Sequence, residues 1–441
     1  MPDPAAEARF RERRDTARSI FRFALEQASI ANAFARHVHC ERGVLRVCED
    51  LYDLHSCSRV FVVSLGKAAH TMVEALATQL GTSLEGIVAG SVDPQSQLRG
   101  FRYFRGGHPL PNQDSIQAAN AILRALGAQN ASSLVLFLLS GGGSSIVEKP
   151  VDDEISLDDL VATYGALVHS GAPIAEINAI RKHLSAVKGG RLAQAAFPAQ
   201  QVSLLVSDVP DHTPDALASG PTMPDSTTAE DCYRLAGKYD LPAQFPGTVR
   251  ELFQRRALEE TPKSGDPAFQ RARWWTVLSN QSAVEQASLA AERAGFFVQV
   301  DNSCDDWDYE TAAGYLLEKA RELRRQFSPV CLVSGGEVTV KVANAGVGGR
   351  NQQFALACAE KIQGEPITLL SAGTDGIDGN SPAAGAVVDG STVQRARQKG
   401  MDPRKALQAF DAYPLLHALG DTIDTGPTGN NLRDLRIVLV D

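Results

Sequence analysis

The sequence predicts an α/β protein of two domains with parallel, Rossmann-like sheets, and three observations lead there. At 441 residues the chain is longer than one hydrophobic core ordinarily supports. Five short runs are apolar throughout and alternate with loops and helical stretches: VFVVSL from Val60, LVLFLLS from Leu134, QVSLLVS from Gln201, VCLVS from Val330 and ITLLS from Ile367. Strands without polar alternation suit a parallel sheet covered on both faces. Each run also carries a serine at or near its carboxyl end (Ser64, Ser140, Ser207, Ser334, Ser371), where open parallel sheets place their ligands.

Ahead of the first strand, residues 8–36 are predicted helical, because Phe10, Ala17, Ile20, Phe21, Phe23, Ala24 and Ala28 recur near helical spacing. The stretch from Leu241 to Phe269 holds Pro242, Pro246, Pro262 and Pro267 around a charged patch and is the expected linker, placing one domain at 1–255 and another at 270–441. LLSGGGSS and LVSGGEVT resemble each other as strand-loop units, without any tandem repeat of solenoid length. A net charge of −9 with no Lys/Arg run argues against a nucleic-acid partner. No apolar run approaches the roughly 20 residues of a membrane span, and MPDPAAEARFRERRD lacks the apolar centre of a signal peptide, so the expected place is the cytoplasm, without a membrane partner. Seven scattered cysteines with no CxxC pair predict reduced thiols, and His37, His39 and Cys40 read as a polar helix end rather than a metal set.

The residues immediately after each serine carry the chemistry. After Ser140 come Gly141, Gly142, Gly143, Ser144 and Ser145: missing Cβ atoms let backbone amides approach a phosphate, with two hydroxyls as further donors, a flexible turn being the alternative. The spacing is neither GxxxxGK[ST] nor GxGxxG. After Ser64 comes Gly66-Lys67, a lysine at the first turn of the next helix, where a cation is better explained by an anionic ligand than by helix stability. Asp208 follows Ser207, Gly335-Gly336-Glu337 follow Ser334, and Asp375 and Asp378 lie in the Gly-rich loop after Ser371. Such carboxylates suit Mg²⁺, which takes oxygen ligands and few protein groups, although Asp378 serves equally well as a turn former. Arg350 opens an apolar helix after Gly348-Gly349. In INAIRKHLSAVKGGRLA, read as one helix, Asn178, Arg181, Ser185 and Lys188 share a face that is either solvated or anion-facing.

These stretches, VVSLGKAA, GGHPLPNQDS, SGGGSS, INAIRKHLSAVKGGRLA, SDVP with ASGPT, SGGE, GGRNQ, GTDGIDG with AAGA, and TGPTGNNLRDL, resemble in order the motifs of the glycerate 2-kinase family of the MOFRL type, from about Val60 to Leu435. The resemblance implies two α/β domains with an active site in the cleft between them, and transfer of the γ-phosphoryl of ATP to the 2-hydroxyl of D-glycerate. It implies that Lys67 and Arg350 are catalytic and that Asp208, Asp375 and Glu337 are acidic residues lining the site, from which Mg²⁺ ligands would be drawn. Ser140, Gly141, Gly142, Gly143, Ser144, Ser145, Lys188, Gly335, Gly336 and Glu337 would serve the nucleotide. Three positions depart from the common pattern and remove negative charge: Pro210-Asp211-His212-Thr213 after SDV, Gln353 after GGRNQ, and Ser381-Pro382 after GIDG.

Phosphoryl transfer asks mainly for positioning and positive charge around a loose anionic transition state. Lys67 and Arg350 are therefore expected to straddle the transferring group and the acceptor carboxylate, with Asp208 and Asp375 equal candidates for the base. The expected partners are ATP and a small hydroxy acid, and the expected assembly is a monomer or homodimer. Rival readings are a kinase of another hydroxy acid, an NAD(P)-dependent hydroxypyruvate reductase, a name sometimes given to members of this family, and a non-catalytic binding protein. The reductase would want a GxGxxG turn with an acid about 20 residues on, and the chain has none.

Overall fold

The computed structural model describes residues 4–81, 84–342 and 346–441. The chain forms two compact units, Ile30–Val277 and a second made of Met1–Ser29 with Leu278–Asp441.

In the unit Ile30–Val277, β1 (Val38–Glu41), β2 (Val44–Val47) and β3 (Asp50–Asp53) form a small antiparallel sheet. The main sheet contains β4 (Arg59–Leu65), β5 (Glu85–Gly90), β6 (Phe101–Arg105), β7 (Ser133–Ser140), β8 (Gln200–Val206) and β9 (Ala272–Leu278) in the order β6-β5-β4-β7-β8-β9. The five strands from β6 to β8 pair in parallel. All eight residues of β7 are buried, as expected of a run apolar throughout. On one face Phe61, Val63, Val135, Phe137 and Leu139 pack against Ala118, Ala119 and Ile122 of the helix Gln113–Leu126. From β4 the chain winds outward through β5 and β6, then returns to β7 and winds the other way, so the topological switch point falls between the carboxyl ends of β4 and β7.

The predicted linker is not one. Leu241, Phe245, Val249, Phe253 and Leu258 are buried with Leu160, Tyr164 and Ile180 in a helical subcore of this unit, because the prolines separate short elements that still present apolar faces. INAIRKHLSAVKGGRLA is likewise two helices, Ile174–His183 and Arg191–Ala196, interrupted where Gly189 and Gly190 take φ of +54° and +84°.

The second unit contains β10 (Phe297–Val300), β11 (Val330–Gly335), β12 (Ile367–Gly373), β13 (Gly385–Asp389), β14 (Thr422–Ile423) and β15 (Asp434–Val440) in the order β10-β11-β15-β12-β13-β14. Its sheet is mixed rather than wholly parallel: β10 and β11 pair in parallel, while β15 enters between β11 and β12 and runs antiparallel to both, and β13 runs antiparallel to β12 and β14. The predicted N-terminal helix is two helices, Pro4–Gln27 and Ile30–His37, broken at residues 28 and 29; Ala17, Ile20, Phe21 and Ala24 of the first pack with Val284, Ala287, Val333, Leu370 and Ile437 of this unit. The expected domain spans, 1–255 and 270–441, thus differ from the compact units mainly by this helix. The other face is covered by Tyr309–Arg324 and Arg350–Lys361, through Leu316, Leu317, Phe354 and Leu356.

Candidate functional site

The switch point of the parallel sheet is where Lys67 lies. Gly66 turns the chain out of β4 with φ of +118°, and a side chain there would overlap Ser140. Lys67 N–H donates to Gly141 O at 2.8 Å and Ala68 N–H to Ser140 Oγ at 3.1 Å, so the two strand ends are tied across the switch. The helix begins at Ala69, leaving Lys67 in the turn before it and exposed. Gly141 lies against Asp208, since an added Cβ would overlap that carboxylate. Gly142, with φ of +80°, leads into the short helix Gly143–Ile146, and Ser144 Oγ meets Ser219 Oγ at 2.7 Å. Ala218 and Ser219 hold positive φ of +51° and +61°, a local strain of the kind found beside binding sites. Lys67, Asp208 and Ser140 to Ser145 are therefore brought together at one set of strand ends.

Lys188 is not on a solvated face. It is 1% exposed and forms an ion pair with fully buried Glu148, which also accepts from Tyr164 Oη and Ser185 Oγ, each at 2.6 Å. Burial lowers the lysine's pKa, with Glu148 pulling the other way. Lys188 lines a small cavity with Gly143 and Ala218, so it underlies the glycine loop.

In the second unit a cavity of about 860 Å³ is lined by Glu337, Arg350, Gln353, Asp375 and Asp378 among others. Arg350 is the first residue of its helix. Its Nε and one terminal nitrogen reach Asp434 at 2.6 and 3.0 Å, and the guanidinium also pairs with Glu337 at 2.6 Å. Burial opposes its charge, but the bonds to Asp434 and Glu337 prevail and hold the guanidinium above its ordinary range. Burial pushes the Glu337 carboxyl up, and Arg350 pulls it back in part.

The amides of the SGGE loop are already spent. Gly335, Gly336 and Glu337 donate their N–H groups to Asn302 Oδ1 (2.8 Å), Asn280 Oδ1 (2.9 Å) and Asp305 Oδ1 (2.9 Å). This loop thus differs from its look-alike after β7 and offers Glu337, not a phosphate cradle. Asp378 is a structural cap: 2% exposed, it accepts from the N–H of Asn351 (3.1 Å) and Gln352 (2.9 Å) at the start of the Arg350 helix, and burial raises its carboxyl to about 7. Asp375 is half-buried and accepts the Ile377 N–H at 3.1 Å.

The three proposed metal carboxylates are divided, Asp208 in the parallel-sheet unit and Asp375 and Glu337 at the cavity of the other. Among the described residues no three metal-capable side chains come together. Of the departures, Gln353 is buried and donates to Leu407 O at 2.9 Å, while His212 and Pro382 are exposed. Sequence reasoning missed Asp434, Arg433, whose guanidinium donates to Asp305 at 2.6 and 2.7 Å, and His108, which lies beside Gly142, although each lies in one of the motif stretches. It also missed Asp305 and Asn280, which no local pattern marks.

Fold and site together define a two-unit α/β enzyme with its charged groups at strand ends. Residues 16–254 match a domain of unknown function, DUF4147, and residues 330–434 match the MOFRL family. The chain is 38% identical to D-glycerate 2-kinase of Thermotoga maritima, over 87% of this chain and 91% of that one. A relative from Agrobacterium vitis, 37% identical over 87% of each chain, carries a hydroxypyruvate reductase name. The crystal structure of glycerate kinase from Thermotoga maritima superposes with a TM-score of 0.86 at 34% identity, covering 98% of this chain and all of that one. The chain belongs to the glycerate 2-kinase family of the MOFRL type.

Proposed function

We propose that this enzyme transfers the terminal phosphoryl group of ATP to the 2-hydroxyl of D-glycerate, giving 2-phosphoglycerate and ADP. The observation that carries the reading is exposed Lys67 at the β4/β7 switch point, beside the glycine loop, in a chain whose relatives are named for this reaction. The loop from Ser140 to Ser145 receives phosphate oxygens through its backbone amides and the Ser144 hydroxyl, and Lys67 neutralises charge on the transferring group. Lys188 acts from beneath, holding the loop's floor through Glu148. Arg350, fixed by Asp434, binds an anionic group of a substrate as a planar fork.

Mg²⁺ fits the chemistry of these side chains, since it needs only one or two protein carboxylates beside phosphate oxygens. Its ligands would be drawn from Asp208, Asp375 and Glu337, of which Glu337 is paired with Arg350 and Asp375 accepts the Ile377 N–H. When bound, the ion neutralises charge on the phosphates. We further read the protein as cytoplasmic and as a monomer or homodimer; no helix among the described residues is long and apolar enough to cross a membrane.

The test is an ATP-coupled assay across a panel of hydroxy acids with product identification. D-glycerate should give ADP and 2-phosphoglycerate in equal amounts. ADP formation only with a longer sugar acid would reassign the acceptor. NAD(P)H oxidation with hydroxypyruvate, without ADP formation from any acid, would overturn the reading in favour of a reductase.

A further inference from the structure

We propose that His108 takes the proton from the acceptor hydroxyl, a role that rests on the kinase reading above. His108 follows β6 at the same edge of the sheet as Lys67 and the glycine loop. The two side chains flank Gly142: a single point, where a Cβ on that glycine would lie, is 3.0 Å from Lys67 Cγ and 3.4 Å from His108 Nδ1. With φ of +80° as well, position 142 is held open for both.

The hydrogen bonds assign the imidazole its tautomer. Ser145 is 8% exposed, and its hydroxyl donates to Gly142 O at 3.3 Å. Its oxygen is thereby able to accept, and we assign the proton to His108 Nδ1, 3.2 Å away, on that ground. Nε2 then carries the lone pair, on a ring that is exposed. Partial desolvation, and secondly the charge of Lys67, lower the imidazole's pKa from its ordinary value of 6.5 and so favour the neutral ring. Lys67 is the charged group that acts on it.

A neutral base beside a fixed cation suits phosphoryl transfer, because the cation stabilises the phosphoryl oxygens without having to give up its own proton. In the step, the acceptor oxygen bonds to the γ-phosphorus as the bond from that phosphorus to the β,γ-bridging oxygen breaks. ADP leaves with that electron pair. The hydroxyl proton passes to Nε2 and from there to solvent.

The experiment compares the parent enzyme with His108→Ala and His108→Gln, following ADP release with D-glycerate from pH 5 to 9, with and without added imidazole. His108→Ala should lower kcat by roughly 10²–10⁴-fold. The KM for ATP should stay within about threefold and the melting temperature should not move, since the side chain is exposed. The parent should lose kcat/KM on the acid side, that acid limb should vanish in His108→Ala, and imidazole should restore part of the rate of His108→Ala. If the parent forms ADP while His108→Ala keeps kcat within about fivefold and retains the acid limb, the assignment of His108 fails and the kinase reading stands. If the parent forms no ADP with D-glycerate, the kinase reading fails and the proton-transfer role falls with it.

Discussion

Replacing Asp434 with Asn should lower both stability and turnover, because this carboxylate is what orients Arg350. Asp434 is 1% exposed at the start of β15, while the Arg350 side chain is 37% exposed. Removing one partner of a fully buried pair costs about 3–5 kcal/mol, since the other charge is stranded. Here the loss is smaller: the guanidinium keeps Glu337, is partly screened by solvent, and can still donate to the Asn carbonyl. About 2 kcal/mol is therefore expected. For a unit of this size that corresponds to a fall of roughly 4–8 °C in Tm. A guanidinium misplaced by about 1 Å should lower kcat some 10–100-fold. Scanning calorimetry and steady-state kinetics on the same preparations measure both effects. An Asp434→Asn enzyme that melts within about 1 °C of the parent and keeps its kcat would refute the claim that Asp434 holds Arg350.

Three other substitutions probe the remaining assignments. Lys67→Ala should lose about 10²-fold or more in kcat while its melting temperature stays within about 1 °C, because the side chain is exposed; a near-normal rate would remove Lys67 from the mechanism. Lys188→Met should destabilise the protein by about 3–5 kcal/mol in urea unfolding, since it strands Glu148 in the core, and adding Glu148→Gln should recover part of the loss. Asp378, raised by burial to about 7, keeps a proton in the folded state that the unfolded chain gives up near pH 4. Its contribution is therefore greatest below pH 4 and is lost as pH rises to about 7, on the order of 4 kcal/mol in all. Asp378→Asn should flatten unfolding free energy across that window, and an unchanged slope would show that the group titrates normally.

Much of the fold was legible because a strand buried on both faces must be apolar along its whole length. All five apolar runs are strands, and their serines lie at carboxyl ends. The errors came where apolar residues have no single period. Leu241 to Phe269 reads as a linker by its prolines yet buries Leu241, Phe245, Val249, Phe253 and Leu258 in one subcore, and the N-terminal helix gives no sign in its own sequence of which unit it will cover. The two SGG loops look alike, but whether a loop's amides are free depends on Asn280, Asn302 and Asp305, which lie 30 to 60 residues away.

The sequence by itself determined the α/β class and marked the strand ends, with Lys67, Arg350 and the glycine loop, as candidates, because strands and loops arise from local pattern and short-range spacing; the roles proposed for Lys67 and Arg350 come from the family resemblance. Only the tertiary structure decided that Asp378 is a cap, that Lys188 is a buried partner of Glu148, that Asp434 orients Arg350 and that His108 stands across Gly142 from Lys67. Each of those depends on which distant carboxylate, hydroxyl or amide the folded chain brings within about 3 Å, and on how much water remains around the pair.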